Sequence, residues 1–487
     1  MPTNIRKHSW YLENTYASLP AVFFSPQQPV PVAKPEMVCF NERLANDLGL
    51  GFLNHEKENS VGYLSGNKIP DEAEPLAQAY AGHQFGHFTM LGDGRAVLLG
   101  EQLDPTGKRF DIQLKGAGQT PYSRRGDGRA TLYSMLREYL ISESMYHLGI
   151  PTTRSLSVVS TGEPVYRGTM HNGAVLTRIA DSHIRVGTFE YARNFCSKED
   201  LQALTTYTIQ RHYPEITDTD NPALELLKAV MQTQIDLIVN WMRVGFIHGV
   251  MNTDNMSIAG ETIDYGPCAF MNSYDPDTVF SSIDTNGRYA FGNQSHVAQW
   301  NLAIFAGALL PVIGESQQKA LDLAREVIEG FEDKFTEKWY GMMFGKLGIL
   351  HAEDKDKDLV DGLLSLMKTN KSDYTQVFLA LQQDKEPGES LFKVEEFKAW
   401  VAKWKNTHLG GERKVPGLAL MHTLNPKVIP RNHWVENVLE AAVEGNLSSF
   451  TQLLGILSRP YDNHSDSLQF EKIPEGFDAG YQTFCGT

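Results

Sequence analysis

The stretch "HGVMNTDN", His248 to Asn255, decides how the rest of this chain is read. Two residues after His248, where a loop of this kind could present an acid to an attacking hydroxyl, stands Val250. Valine can neither accept a proton nor hold a cation. Asp254 and Asn255 close the stretch with two neighbouring oxygen donors. The loop is therefore either inert or works from Asp254 instead of position 250.

Upstream, Asn221 can cap a helix, Pro222 suits its first turn, and "ALELLKAVMQTQIDLIVNWMRV" runs to Gly245. Downstream, "MSI", "AGE" and "TID" predict a small hairpin ending in "DYGP", which carries Asp264. Residues from about 80 to 120 read as a β-meander: "HQFGHFTM", the turn "LGDG", "RAVLLGEQL", the turn "DPTG" and "RFDIQLKG". A helix capped by Asp127 or Gly128 follows, with Leu132, Leu136, Tyr139 and Leu140 on one face, ended by Gly149 and Pro151. From about Ser295 onward the patterns are mostly helical, as in "HVAQWNLAIFAGALL", "ALDLAREVIEGFEDKFTEKWYGMMF", "VEEFKAWVAKW" and "HWVENVLEAAVEGN". The expected fold is α+β with two lobes: a β-rich lobe over 1–180 and a mostly helical lobe over 181–487.

Composition narrows the functions. The chain has 487 residues, with 44 basic and 59 acidic side chains and a net charge of −15. Such a surface repels nucleic acid and anionic membranes, so neither is expected as a partner. Any bound anion must be met by a local basic cluster or by metal. The first residues, "MPTNIRKHSWYLENTYASLP", show no apolar leader, and "NLAIFAGALLPVIG" reads as too short to span a bilayer and contains a proline. A cytoplasmic location is expected. Cys39, Cys196, Cys268 and Cys485 are too scattered for a disulfide framework or a zinc knuckle. His83 and His87 stand four apart, but Gly82 and Gly86 interrupt any helix there, so structural or ligand-lining roles are expected over metal binding.

Several features bear on chemistry. In "LGDGRAV", Gly92 and Gly94 leave room for backbone N–H groups to approach phosphate, and Arg95 adds charge. Lys115 ends a strand and Glu138 lies on the helix after it, at an interval of 23 positions from Gly92 to Lys115 and again from Lys115 to Glu138. Each is unremarkable alone. Their order is that of protein kinases: Gly-rich turn, strand Lys, helix Glu, long helix, His…Asn loop, Asp-x-Gly. A protein-kinase-like two-lobed fold is therefore expected, with Val250 where the catalytic-loop base would stand and Tyr265 replacing the usual Phe.

The strings "AYAGHQFGHFTMLGDGRA", "QLKGAGQTPYSRRGDGRA", "GVMNTDN" and "DYGPCAFM" together resemble the selenoprotein O family, also called YdiU, over nearly the whole chain. The resemblance implies a kinase-like fold that moves AMP, not phosphate, from ATP to hydroxyl side chains of proteins, with ATP reversed relative to kinases. It implies that Gly92, Gly94, Arg95, Lys115, Asp127, Gly128, Arg178 and Arg185 contact ATP and that Glu138 pairs with the lysine. Asp254 matches the proton acceptor, and Asn255 and Asp264 match ligands of Mg²⁺ or Mn²⁺. It also implies redox control through a tail disulfide, for which Cys485 is present and Cys268 is the nearest candidate partner.

The residues agree with a reversed nucleotide. "GDGRA" occurs twice, and with Arg178 and Arg185 it offers an unusually basic pocket for the terminal phosphate. Burying that end would leave the α-phosphorus facing Asp254. Two alternatives remain at this point: a protein or small-molecule kinase, or UMP transfer from UTP with manganese. A non-catalytic nucleotide scaffold is disfavoured, because it needs no Lys115, Glu138, Asn255 and Asp264.

Overall fold

The computed structural model describes residues 9–383, 390–463, 470, 473–474 and 476–484. The chain is mixed α and β, with one principal antiparallel sheet. In chain order its first strands are β1 (Leu12–Glu13), β2 (Phe24–Pro26), β3 (Glu36–Phe40), β4 (Leu76–Gln78), β5 (Ala81–Gln84), β6 (His87–Met90), β7 (Ala96–Leu103), β8 (Arg109–Lys115), β9 (Ala130–Thr131), β10 (Arg154–Arg167) and β11 (Thr169–Ala180). The principal sheet runs β2-β4-β7-β8-β11-β10-β3, with β1 added to β7 and β9 to β11.

Side-chain alternation on β8 organises the site. Ile112 and Leu114 turn to one face of the sheet, where they join Val97, Leu99 and Trp10 and pack against helices α1 (Glu42–Asp47) and α2 (Lys57–Ser65). Asp111, Gln113 and Lys115 therefore form a polar row on the opposite face, because neighbours along a strand point to opposite sides. That face is covered by α3 (Leu132–His147), whose Leu136 and Leu140 are fully buried with Leu98, Val158 and Leu176. α3 begins later than the sequence suggested. Thr131, not Asp127 or Gly128, caps it by accepting from the Ser134 N–H at 3.2 Å. Residues 116–129 before it form a loop, and Asp127 is occupied there by Arg167.

The expected meander is also corrected. "HQFGHFTM" is not the sheet neighbour of β7; β5 and β6 form a separate two-stranded hairpin turning at Phe85 and Gly86, both with positive φ. The hairpin packs instead against α4 (Val186–Phe195) and residues 253–255. β4 takes the place beside β7.

After α4 and α5 (Lys198–His212), helix α6 (Pro222–Arg243) begins as the sequence indicated, with Asn221 accepting from the Leu224 N–H at 3.2 Å. The hairpin expected in "MSI–AGE–TID" does not form. The backbone of that segment is claimed by other parts of the chain: Ile258 N–H donates to Ile184 O at 2.9 Å, and Thr153 N–H donates to Thr262 O at 3.0 Å. The loop is instead pinched at its ends, where Phe246 pairs with Phe270 and Ile247 with Ala269.

Helix α7 (Gln294–Ile313) corrects a further expectation. With the turn before it, the apolar stretch Phe291–Ile313 is long enough by length and composition to cross a membrane. Its Ala298, Leu302, Phe305 and Leu309 are nevertheless buried in the core, and Asn301 donates to Met251 O at 2.9 Å, which ties α7 to the 248–255 loop. The pattern "ALDLAREVIEGFEDKFTEKWYGMMF" divides at Gly330 into two helices, Gln317–Glu329 and Phe331–Lys346.

Candidate active site

Lys115 stands at the end of β8 and meets Glu138 of α3, Nζ to Oε2, at 2.7 Å. Glu138 also takes Arg178 of β11, from Nε at 2.8 Å and Nη2 at 2.5 Å. Arg178 reaches on to Asp264 Oδ1 at 2.5 Å, and Lys115 donates to the same oxygen. Two cations and two carboxylates thus close a square that is buried except at Asp264, whose side chain is 27% exposed. Burial alone would push all four toward their neutral forms, but the mutual ion pairs hold Glu138 and Asp264 below the usual carboxylate range and keep Arg178 firmly charged. For Lys115 burial prevails, and its pKa is lowered. The pocket is less basic than the arginines suggested, since Lys115, Arg178 and Arg185 each have an acid beside them.

Asp264 is held in an unusual backbone conformation, φ 65°, which Asp tolerates better than most residues. The residues around it anchor it. Tyr265 is buried, with its hydroxyl on Thr152, and His248 reaches Ile263 O from Nε2 at 2.9 Å. Since a carbonyl can only accept, His248 carries its proton on Nε2, leaving Nδ1 to face the Val250 N–H at 3.4 Å. Burial lowers its pKa. His248 is a clamp between the loop and the Asp264 segment, and Val250 is buried beside it.

Arg185, at the entry to α4, lies over the Tyr80 ring at 4.3 Å and donates to Asp254 O at 3.1 Å. It is also 4.0 Å from both Asp93 and Asp264. Asp254 is 8% exposed, and its Oδ1 has no hydrogen-bond partner. Burial raises its pKa to about 6, with Arg185 opposing. Two glycines make room for it: a Cβ on Gly82 would lie 2.5 Å from Asp254 Oδ1, and one on Gly187 would lie 3.3 Å from its Cα. Asn255 donates from Nδ2 to Val250 O at 3.0 Å, so its Oδ1 is left as an acceptor.

Those two oxygens suit a divalent cation. Asn255 Oδ1 and Asp264 Oδ2 are hard donors of the kind Mg²⁺ and Mn²⁺ take. Among the described residues no group of three or more His, Cys, Asp or Glu could hold a metal unaided. Two protein ligands completed by phosphate oxygens fit the usual manner of binding Mg²⁺ beside a nucleotide.

Both "GDGRA" turns pack against residues 118–123. A Cβ on Gly92 (φ +125°) would strike the Tyr122 ring at 2.4 Å, and one on Gly94 would lie 3.0 Å from Tyr122 O. Gly128 (φ +69°) lies against Gly118, at 2.0 Å for an added Cβ. Asp127 is exposed, pairs with Arg167 through two bonds of 2.8 Å, and has its pKa lowered to about 2 by that arginine. Arg129 of the second turn donates to Val30 O and Pro31 O, at 3.1 Å each. Arg95 is half-buried with no ion pair among the described residues, and its carbonyl accepts the Gly116 N–H at 2.7 Å.

Sequence reading missed Tyr80, Gly82, Asp93, His183, Gly187 and Glu190. Asp93 stood inside the first "GDGRA", yet its side chain turns inward, accepting the Gln78 N–H at 3.1 Å and Gln113 Nε2 at 3.2 Å. His83 was not a metal ligand candidate; its ring meets Glu190, and His87 is exposed. Cys268 is buried with its thiol pushed up to about 11, and Cys485, its suggested partner, lies outside the described residues.

A family model described as protein adenylyltransferase SelO matches residues 8–458. Curated relatives named protein nucleotidyltransferase YdiU include one from Brevibacillus brevis, 54% identical over 480 residues that cover 98% of each chain. One from Nitrosococcus oceani is 54% identical over 480 residues, 98% of this chain and 97% of the relative. One from Bacillus mycoides is 52% identical over 487 residues, the full length of both.

Proposed function

This chain belongs to the SelO protein adenylyltransferase family, and from that premise we propose that it transfers AMP from ATP to Ser, Thr or Tyr hydroxyls of proteins and releases pyrophosphate. The enzyme is a nucleotidyltransferase. In the proposed arrangement, residues 1–180 form the β-rich lobe of a kinase-like fold and 181–487 the helical lobe. ATP lies between them, reversed relative to kinases.

The observation that carries this reading is Asp254. A carboxylate with a buried, unpartnered oxygen and a pKa near 6 is ionised at neutral pH and basic enough to take a proton from a hydroxyl. Val250 offers nothing comparable. Arg185, bound to the Asp254 carbonyl, links the base to the phosphate-binding cations. Lys115, Arg178 and Arg185 orient the polyphosphate, and Glu138 fixes the first two. Gly92, Gly94, Arg95, Asp127 and Gly128 line the remaining length of the nucleotide. A divalent ion on Asn255 and Asp264, Mg²⁺ or Mn²⁺, supplies neutralisation of the leaving pyrophosphate. Asp264 would hold it through Oδ2, since Lys115 and Arg178 both bond to Oδ1.

Incubating the protein with ATP and metal, plus a protein acceptor, and measuring the acceptor's mass tests the reading. An adenylate adduct supports it; a phosphate adduct makes the enzyme a kinase. A parallel arm with UTP and Mn²⁺ shows whether uridylate is also moved. The base adds a pH signature. Because burial raises the Asp254 pKa to about 6, the base is ionised above that value and protonated below it. The transfer rate with saturating ATP should fall about tenfold per pH unit below about 6. Asp254→Asn should be slow at every pH. A wild-type rate that stays flat from pH 5 to 8 would remove Asp254 as the base.

A further inference from the structure

The deep end of the polar row on β8 holds a group that the proposed chemistry does not use. Lys115 stands at the end nearest Asp264. Two residues in, about 7 Å along the strand, Gln113 lies between Asp93, at 3.2 Å, and Arg178, at 3.5 Å. Two residues further, one oxygen of Asp111 accepts both the His183 N–H at 2.8 Å and His183 Nδ1 at 3.0 Å. A carboxylate accepts, so Nδ1 carries the proton and a neutral His183 presents a lone pair on Nε2. That Nε2 is buried and has no partner. Both amide atoms of the Gln78 side chain are likewise buried and unpartnered. The backbone of Gln78 is tied to Asp93 in both directions, and the carbonyl of His183 accepts Arg185 Nε at 3.3 Å. Buried polar atoms are rarely left unpaired, and their gathering around Asp93 and Arg185 marks a place built for a polar ligand.

We infer that His183 and Gln78 form the floor of the phosphate chamber, where they donate to the terminal phosphate of a nucleoside triphosphate, and that His183 takes a proton from solvent when the triphosphate binds. This rests on the reversed orientation above, which sends the terminal phosphate inward past Arg178 and Arg185. A fully ionised phosphate oxygen cannot donate, so a lone pair on Nε2 would repel it; only the imidazolium offers a second N–H. The groups around His183 are Asp111, Arg178, Arg185, Asp93, and Arg211 and His212 of α5. In the free protein burial lowers its pKa, with Arg178 and Arg185 acting in the same direction and Asp111 opposing. It is neutral at pH 7 until the phosphate charge arrives. ATP affinity should therefore rise as pH falls. Asp254 also titrates, at about 6, but it faces the α-phosphate that ATP and AMP share, so the ratio of the two affinities reports His183.

Calorimetry of ATP and AMP binding in two buffers of different ionisation enthalpy tests this. ATP should take up about one proton at pH 7 and AMP none. His183→Asn keeps a donor for Asp111. It should abolish the uptake and weaken ATP about tenfold while changing AMP less than about twofold, the loss of one charge-assisted contact. Nitrogen-15 spectra of histidine-labelled wild type give the same answer without a variant: Nε2 should move to the protonated position on adding ATP. Arg185→Gln separates the two levels of inference. If it weakens ATP relative to AMP while His183→Asn does not, the orientation stands and the role of His183 falls. If neither variant discriminates, both fall.

Discussion

Replacing Asp264 with Asn should reduce transfer about a thousandfold, the scale expected when a metal-bound contact to the departing phosphates is lost. Asn is the cleaner substitution, because it keeps the side-chain shape and tolerates the φ of 65° at this position. Alanine removes the same charge and adds backbone strain of about 1 kcal/mol. Either change leaves Lys115 and Arg178 sharing only Glu138. The loss should thus appear in kcat at saturating metal and nucleotide, while circular dichroism shows a folded protein. Turnover within about tenfold of wild type would remove Asp264 from the metal site.

Glu138→Gln should have the second largest effect, and on two readouts. Glu138 is 4% exposed and holds Lys115 and Arg178 at once. The resemblance implied a simple pair of Glu138 with Lys115. The structure shows a shared anion between two buried cations, and removing one member of such a set typically costs about 3–5 kcal/mol. Denaturant midpoints should therefore shift markedly, and kcat/KM should fall about a hundredfold as Lys115 and Arg178 lose their fixed positions. An unshifted midpoint with full activity would show that Asp264 alone holds both cations.

These residues also show what the sequence could and could not disclose. Lys115 and Glu138 were legible because a strand lysine and a helix glutamate lie on elements with clear patterns, and the structure joins them at 2.7 Å. Helix α6 was legible from Asn221, Pro222 and Gly245, which act through local backbone chemistry. The hairpin at 81–90 and the supposed hairpin after Asn255 were misplaced because strand partners are set by distant backbone. The 256–262 segment bonds to residues near 151–153 and 184–186, and nothing local announces that. Arg178 was visible as a charge, but its acidic partners Glu138 and Asp264 lie 40 and 86 residues away, so the pocket looked more basic than it is. His183 and Gln78 carry no motif, and Asp93, though inside the first "GDGRA", turns its side chain inward. Distant bonds bring them together: the Gln78 N–H donates to Asp93 and the His183 N–H to Asp111 of β8.

The most direct test of the proposed chemistry is a pair of parallel reactions with a protein acceptor, one using ATP labelled at the α-phosphate and one labelled at the γ-phosphate. With Asp254 as the base and the terminal phosphate held by Arg178 and Arg185, label should reach the protein only from the α position, with labelled pyrophosphate released in the γ reaction. Label transferred to protein from the γ position would contradict this and make the enzyme a kinase.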